Sequence, residues 1–178
     1  MSSDPRTSLA RRIYETAHIT GEFTLRSGAK SNEYFDKYLF EADPKLLKAI
    51  AEALVPLVPL GVDALAGLEM GGIPIATMLS QLTGLPVLLV RKKAKDYGTC
   101  KIAEGGQVKG RKLLIVEDVV TSGGAILDAA KALREEGALL AHVVCVIDRE
   151  SGGSANLAKV ELTLKPLFTM TELKRAGA

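Results

Sequence analysis

Four short aliphatic runs limit the fold more than any other feature of the chain: VDALAG (62–67), PVLLVR (86–91), KLLIVED (112–118) and LLAHVVCVIDR (139–149). None shows clean alternation of polar and apolar residues, so each needs cover on both faces, as the strands of a parallel sheet do. Glycine turns and helix-length segments lie between them, one ending near Gly84 and one running from about Gly124 to Glu136. Strand, turn and helix repeated in this order predict an α/β fold with a mainly parallel central sheet flanked by helices. Apolar residues make up 47% of the 178 residues and aromatics only 4%, so Leu, Val, Ile and Ala must supply the core of one domain spanning 1–178.

Leu9, Ile13 and Ala17 are spaced for an N-terminal helix, and GEFTLRSGAKSNEYFDKYLF (21–40) carries the turn residues and β-formers of a hairpin-like strand pair. Asp43-Pro44 offers a helix cap and a first-turn proline. A tail strand around 160–167 and a short helix opened by Thr169, with Glu172 completing a capping box, close the chain. One long irregular segment, 92–111, separates two core strands, and such loops more often serve function than mere connection.

Several function classes are excluded early. The net charge of +2 is too small for a dedicated nucleic-acid binder. The longest uncharged stretch, 70–90, is broken by Gly71, Gly72, Pro74, Gly84 and Pro86, so it reads as turn, helix and strand rather than a membrane span. The N-terminal segment lacks an apolar signal core, and Cys100 and Cys145 make no disulfide framework, which predicts a cytoplasmic, reduced protein. His18, His142 and the two cysteines lack metal-ligand spacing; His142 and Cys145 read as strand packing.

In an open α/β sheet, ligands bind beyond the carboxyl ends of the strands. The third run delivers Glu117 and Asp118 there, then Thr121, Ser122, Gly123 and Gly124 at a helix start. Free helix amides, two hydroxyls and side-chain-free glycines form a nest for a phosphate monoester, while the acids suit hydroxyls or Mg²⁺. The pairing points to a sugar phosphate with a free diol. Arg91, Lys92, Lys93 and Lys95 put four cations within five residues at another strand end, suited to a pyrophosphate leaving group, although a run of this kind also serves as a solvated face. Arg149 closes the fourth run, where a planar guanidinium fits a carboxylate or pairs with Asp148 or Glu150. Gly71 and Gly72 offer backbone amides to an anion or simply start a helix.

VEDVVTSGGAI resembles the phosphoribosyl pyrophosphate (PRPP) motif of type I phosphoribosyltransferases. With FTLRSGAKSNEYF (23–35), RKKAKDYG (91–98) and Asp148-Arg149-Glu150 ahead of Gly152-Gly153, nearly the whole chain is similar to the orotate phosphoribosyltransferase family. The resemblance implies the type I phosphoribosyltransferase fold with a small N-terminal hood (about 1–40) over the active site. It further implies a mobile catalytic loop (about 92–111) that closes over the neighbouring subunit's site, hence a homodimer with shared active sites. PRPP would be bound by Arg91, Lys92, Lys95 and Tyr97 and by the run Glu117, Asp118, Val119, Val120, Thr121, Ser122, Gly123, Gly124 and Ala125. Lys95 and Asp118 would be catalytic, and Thr121, Arg149, Arg26, Tyr34 and Phe35 would meet orotate. Mg²⁺ would be the cofactor, held mainly through PRPP rather than by protein ligands. The chain departs from the pattern at Tyr97, where bacterial members usually carry His, at Arg26, which replaces a common lysine, and near Gly71, where many carry a lysine.

The implied reaction converts PRPP and orotate to orotidine 5′-monophosphate and pyrophosphate, a step of UMP synthesis. Orotate is already an anion, in keeping with a sequence that shows no convincing strong base. The alternatives are a purine or other pyrimidine phosphoribosyltransferase, or a PRPP- or UMP-sensing RNA-binding regulator. The near-neutral charge counts against the last.

Overall fold

The structure is a computed structural model that describes residues 4–24, 28, 30–93 and 101–178. Helix α1 (Pro5–Ala17) starts at Asp4, whose side chain accepts from the Thr7 amide, with Pro5 in its first turn. Strands β1 (His18–Thr24) and β2 (Lys30–Phe35) then form the expected antiparallel hairpin. The rest of that segment is not strand: the Asp36 carboxylate accepts from the Tyr38 amide and opens α2 (Lys37–Ala42). Asp43 caps α3 (Pro44–Leu54) through the Lys45 and Leu46 amides, as its sequence predicts.

A 3-10 turn (Val55–Leu57) follows, and the remaining elements are β3 (Ala64–Leu68), α4 (Gly72–Thr83), β4 (Val87–Val90), β5 (Ala103–Glu104), β6 (Lys112–Val120), α5 (Gly124–Glu135), β7 (Leu139–Asp148), α6 (Gly153–Ala158), β8 (Thr163–Thr169) and α7 (Met170–Gly177). The main sheet has the order β5-β4-β3-β6-β7-β8; all neighbours are parallel except the β4–β5 pair. Besides α2, two elements escape a sequence reading. β5 is two residues inside the segment read as irregular, where Ile102 and Val108 are nonetheless buried, and the six residues of α6 are too few to show a helical period. Thr169 and Glu172 do form a capping box at α7.

Each face of the sheet carries its own apolar layer. Leu114 and Val116 of β6 join Ile13, Phe40, Ile50, Ile75 and Phe168 on one side, whereas Leu113 and Ile115 join Leu88, Ile126, Leu133 and Leu157 on the other. α1 buries Leu9, Ala10, Ile13 and Ala17 in the first layer, so among the described residues the hairpin β1–β2, rather than the whole N-terminal segment, stands apart from the main sheet. Successive side chains of a strand alternate faces, which sends Glu117 toward the second layer and Asp118 toward the first. Strand order reverses between β3 and β6, and their carboxyl ends make the crevice where ligands of such sheets bind. No helix among the described residues is long and apolar enough to cross a membrane.

Candidate active site

β6 extends through Val120, so Glu117 and Asp118 lie within the strand's last turn of pleat, 7% and 1% exposed. Buried charge needs partners, and two come from α2, which the sequence reading did not place in the site. The Lys37 ammonium pairs with Asp118 Oδ2, the Val119 amide donates to Asp118 Oδ1, and Glu41 packs against the same carboxylate. Burial by itself would raise the Asp118 pKa, but hydrogen bonds with Glu117, Glu41 and Lys37 outweigh it and hold the carboxyl below its ordinary range. Burial and the Asp118 charge push Glu41 up to about 8 and Glu117 well above the ordinary carboxyl range. Of the three clustered carboxyls, Asp118 is thus the one biased toward its charged form, and Glu41 and Glu117 are biased toward their protonated forms.

The turn from β3 into α4 lies directly over this cluster. A Cβ at Gly71 would collide with the Asp118 carboxylate and Glu41 Oε1, and one at Gly72 would collide with the Val116 carbonyl. Gly72 therefore permits close approach of two backbones, and Gly71 leaves room for the Asp118 and Glu41 carboxyls, whatever anion their amides meet.

Beyond the acids, Thr121 and Ser122 are exposed and Gly123 adopts φ +81, which starts α5 with no side chain capping its amides. Ala125 is exposed in that first turn. The nest is braced from behind: Asn156 Nδ2 donates to the Ser122 carbonyl at 3.1 Å, and Gly153 abuts Thr121 so closely that a side chain there would clash. Val119 and Val120 serve as anchors, the Val119 amide going to Asp118 and the Val120 carbonyl accepting from the Arg149 amide at 2.8 Å.

The cations at the end of β4 face the same crevice. Arg91, Lys92 and Lys93 line a cavity with Gly124, Ala125 and Asp128. The Lys92 amide donates to Glu69 Oε1 at 2.6 Å, tying the ends of β3 and β4 together, and Arg91 Nε lies 3.8 Å from Glu104 Oε1. Lys95, Tyr97, Arg26 and Cys100 lie outside the described residues.

Arg149, Tyr34 and Phe35 do come together. They line a cavity of about 250 Å³ with Tyr14, His18 and Glu33. Neither acid beside Arg149 engages it: Asp148 Oδ1 accepts from the Glu150 amide at 2.9 Å, and Glu150 Oε2 accepts from the Thr171 amide at 2.9 Å and the Thr171 hydroxyl at 2.5 Å. Among the described residues Arg149 makes no ion pair, so its guanidinium is open to a ligand carboxylate. His18 Nε2 and Glu33 Oε2 are 2.7 Å apart, with the Tyr14 ring stacked on His18; the His18 hydrogen bond lowers the Glu33 pKa. The sequence reading missed His18 and Glu33, since only the β1–β2 register (Thr20↔Glu33, His18↔Phe35) brings them to the pocket. Burial raises the Cys145 thiol well above its usual range, as for a packing residue, and His142 is half-buried in β7.

Residues 40–168 match the phosphoribosyl transferase domain family. The chain is 56% identical over 174 residues to orotate phosphoribosyltransferase of Nocardioides sp. (strain ATCC BAA-499 / JS614), covering 96% of this chain and 97% of that one. Orotate phosphoribosyltransferase of Mycobacterium tuberculosis H37Rv superposes with a TM-score of 0.87 at 26% identity, covering 96% and 99% of the two chains. Aeropyrum pernix orotate phosphoribosyltransferase superposes at 0.82 with 29% identity, covering 95% and 98%.

Proposed function

The chain belongs to the orotate phosphoribosyltransferase family, and from that premise we propose how its cleft transfers the 5-phosphoribosyl group of PRPP to orotate, releasing pyrophosphate and forming orotidine 5′-monophosphate. The 5′-phosphate sits on the α5 amides with the Thr121 and Ser122 hydroxyls. Glu117 and Asp118 take the ribose hydroxyls, Asp118 as a charged acceptor. Arg149 holds the orotate carboxylate, and Tyr34 and Phe35 flank the ring. Arg91, Lys92 and the catalytic Lys95 of a neighbouring subunit stabilise departing pyrophosphate, with Tyr97 as a hydrogen-bonding neighbour and Arg26 near the base. The protein acts as a cytoplasmic homodimer.

Bond breaking leads, so positive charge develops on the sugar beside Asp118, and water must be kept out to prevent hydrolysis of PRPP. Glu117 and Asp118 are hard oxygen donors of the kind Mg²⁺ accepts, and Mg²⁺ carried by PRPP would neutralise pyrophosphate charge next to the hydroxyls they hold.

The observation that carries this reading is the convergence of an acid pair, an uncapped helix start and a guanidinium without an ion pair among the described residues, at the carboxyl ends of β6 and β7. Orotate absorbance should fall when protein is added with PRPP and Mg²⁺. No decrease, or faster turnover of adenine or uracil, would refute it. Mixing Lys95→Ala subunits with Asp118→Asn subunits tests the shared site: partial recovery of activity is expected, and its absence rules out sharing.

A further inference from the structure

Lys37 has no assigned part in phosphoribosyl transfer, yet it is the cation paired with the buried acid. It opens α2, immediately after the Asp36 cap, and Glu41 follows four residues later on the same helical face. This short helix therefore delivers an ammonium and a carboxyl to one carboxylate. Asp118 Oδ1 is occupied by the Val119 amide, and its Oδ2 is enclosed by Lys37, Glu41 and the backbone at Gly71. The Lys37 side chain is 31% exposed against 1% for Asp118, so of the charged side chains touching Asp118 it is the one most open to solvent.

We infer that Lys37 is a positioning residue for ribose recognition, fixing the orientation and negative charge of Asp118 toward the sugar hydroxyls without contacting pyrophosphate. The inference rests on the phosphoribosyl-transfer reading. With Lys37 gone, three carboxyls would share a dry pocket with no cation paired to them among the described residues, and Asp118 would become neutral or turn away. Hydrogen bonds to a charged acceptor are roughly twice as strong as neutral ones.

Calorimetric titration of ribose 5-phosphate and, separately, of pyrophosphate into wild type, Lys37→Met and Lys37→Arg distinguishes this role from a merely structural one. Lys37→Met should weaken ribose 5-phosphate at least tenfold and leave pyrophosphate within twofold, while Lys37→Arg restores ribose 5-phosphate to within threefold of wild type. Ribose 5-phosphate affinity unchanged in Lys37→Met, equal weakening of both ligands, or no rescue by Arg would overturn the inference. Should the Met variant not fold, acetylation of Lys37 in wild type provides the same decision: ribose 5-phosphate should slow labelling at least fivefold and pyrophosphate should not, and equal labelling refutes it. Wild type that binds neither ligand removes the phosphoribosyl-transfer reading itself, whereas wild-type binding with an unaltered variant removes only the role of Lys37.

Discussion

At the proposed ribose end of the cleft, Asp118 is 1% exposed and touches a lysine, a second carboxyl, a backbone amide and a glycine turn. At the base end, Arg149 is exposed and unpaired among the described residues, and His18 and Glu33 meet at the rim of an open cavity. The first region resembles a small polar core in which desolvation is offset only while every partner is present. The second keeps its charges in water, where an ion pair contributes little to stability. Substitutions should therefore impair folding and chemistry together at the ribose end and orotate affinity alone at the base end.

The largest effect is expected from Gly71→Ala, which drives a methyl group into the Asp118 carboxylate. Overpacking of this kind costs about 3 kcal/mol, or roughly 6–12 °C in Tm for a chain of this size, with turnover essentially lost. A thermal melt within 2 °C of wild type would show that the turn has space to yield. Asp118→Asn comes next, leaving Lys37 without its counter-charge. Because Lys37 is about one-third exposed, the several kcal/mol of a fully buried pair reduces to about 1–2 kcal/mol, but turnover should fall at least 100-fold in the orotate absorbance assay.

Arg149→Ala probes the other region. The KM for orotate should rise at least tenfold, with the KM for PRPP and the Tm nearly unchanged. A Tm loss as large as that of Asp118→Asn would erase the contrast between the two ends.

A further effect concerns Glu41 and its pH dependence. In the native protein Glu41 holds its proton up to about pH 8, whereas the unfolded chain releases it near 4.5. Its stabilising contribution is complete below the unfolded value and is lost as pH rises through about 8. Glu41→Gln does not titrate there, and Glu117 contributes with the same sign to both proteins. The stability of wild type relative to Glu41→Gln should therefore decline between pH 5 and 8.5 in thermal melts. A difference that grows with pH would mean that native Glu41 is charged.

The strand-end acids and the hydroxyl–glycine turn were readable because they are consecutive: Glu117, Asp118, Thr121, Ser122, Gly123 and Gly124 follow one strand into one helix. The meeting of Arg149 with Tyr34 and Phe35 was expected only through family resemblance, since no local pattern relates residues so far apart. Lys37 and Glu41 were invisible for another reason. DKYLF looks like the end of a strand until Asp36 caps it as a helix, and only then do positions 37 and 41 share a face.

Aliphatic periodicity and turn chemistry alone determine the parallel sheet, its crossover helices and the glycine turn that opens α5, because these depend on neighbours within a few residues and on burial of both sheet faces. Tertiary structure alone decides which carboxyl is charged, which lysine neutralises it and which glycine must remain bare. Those properties come from groups on α2, β3–α4 and β6 brought within a few ångströms in a nearly dry space, where distance and desolvation, rather than residue type, set the energy.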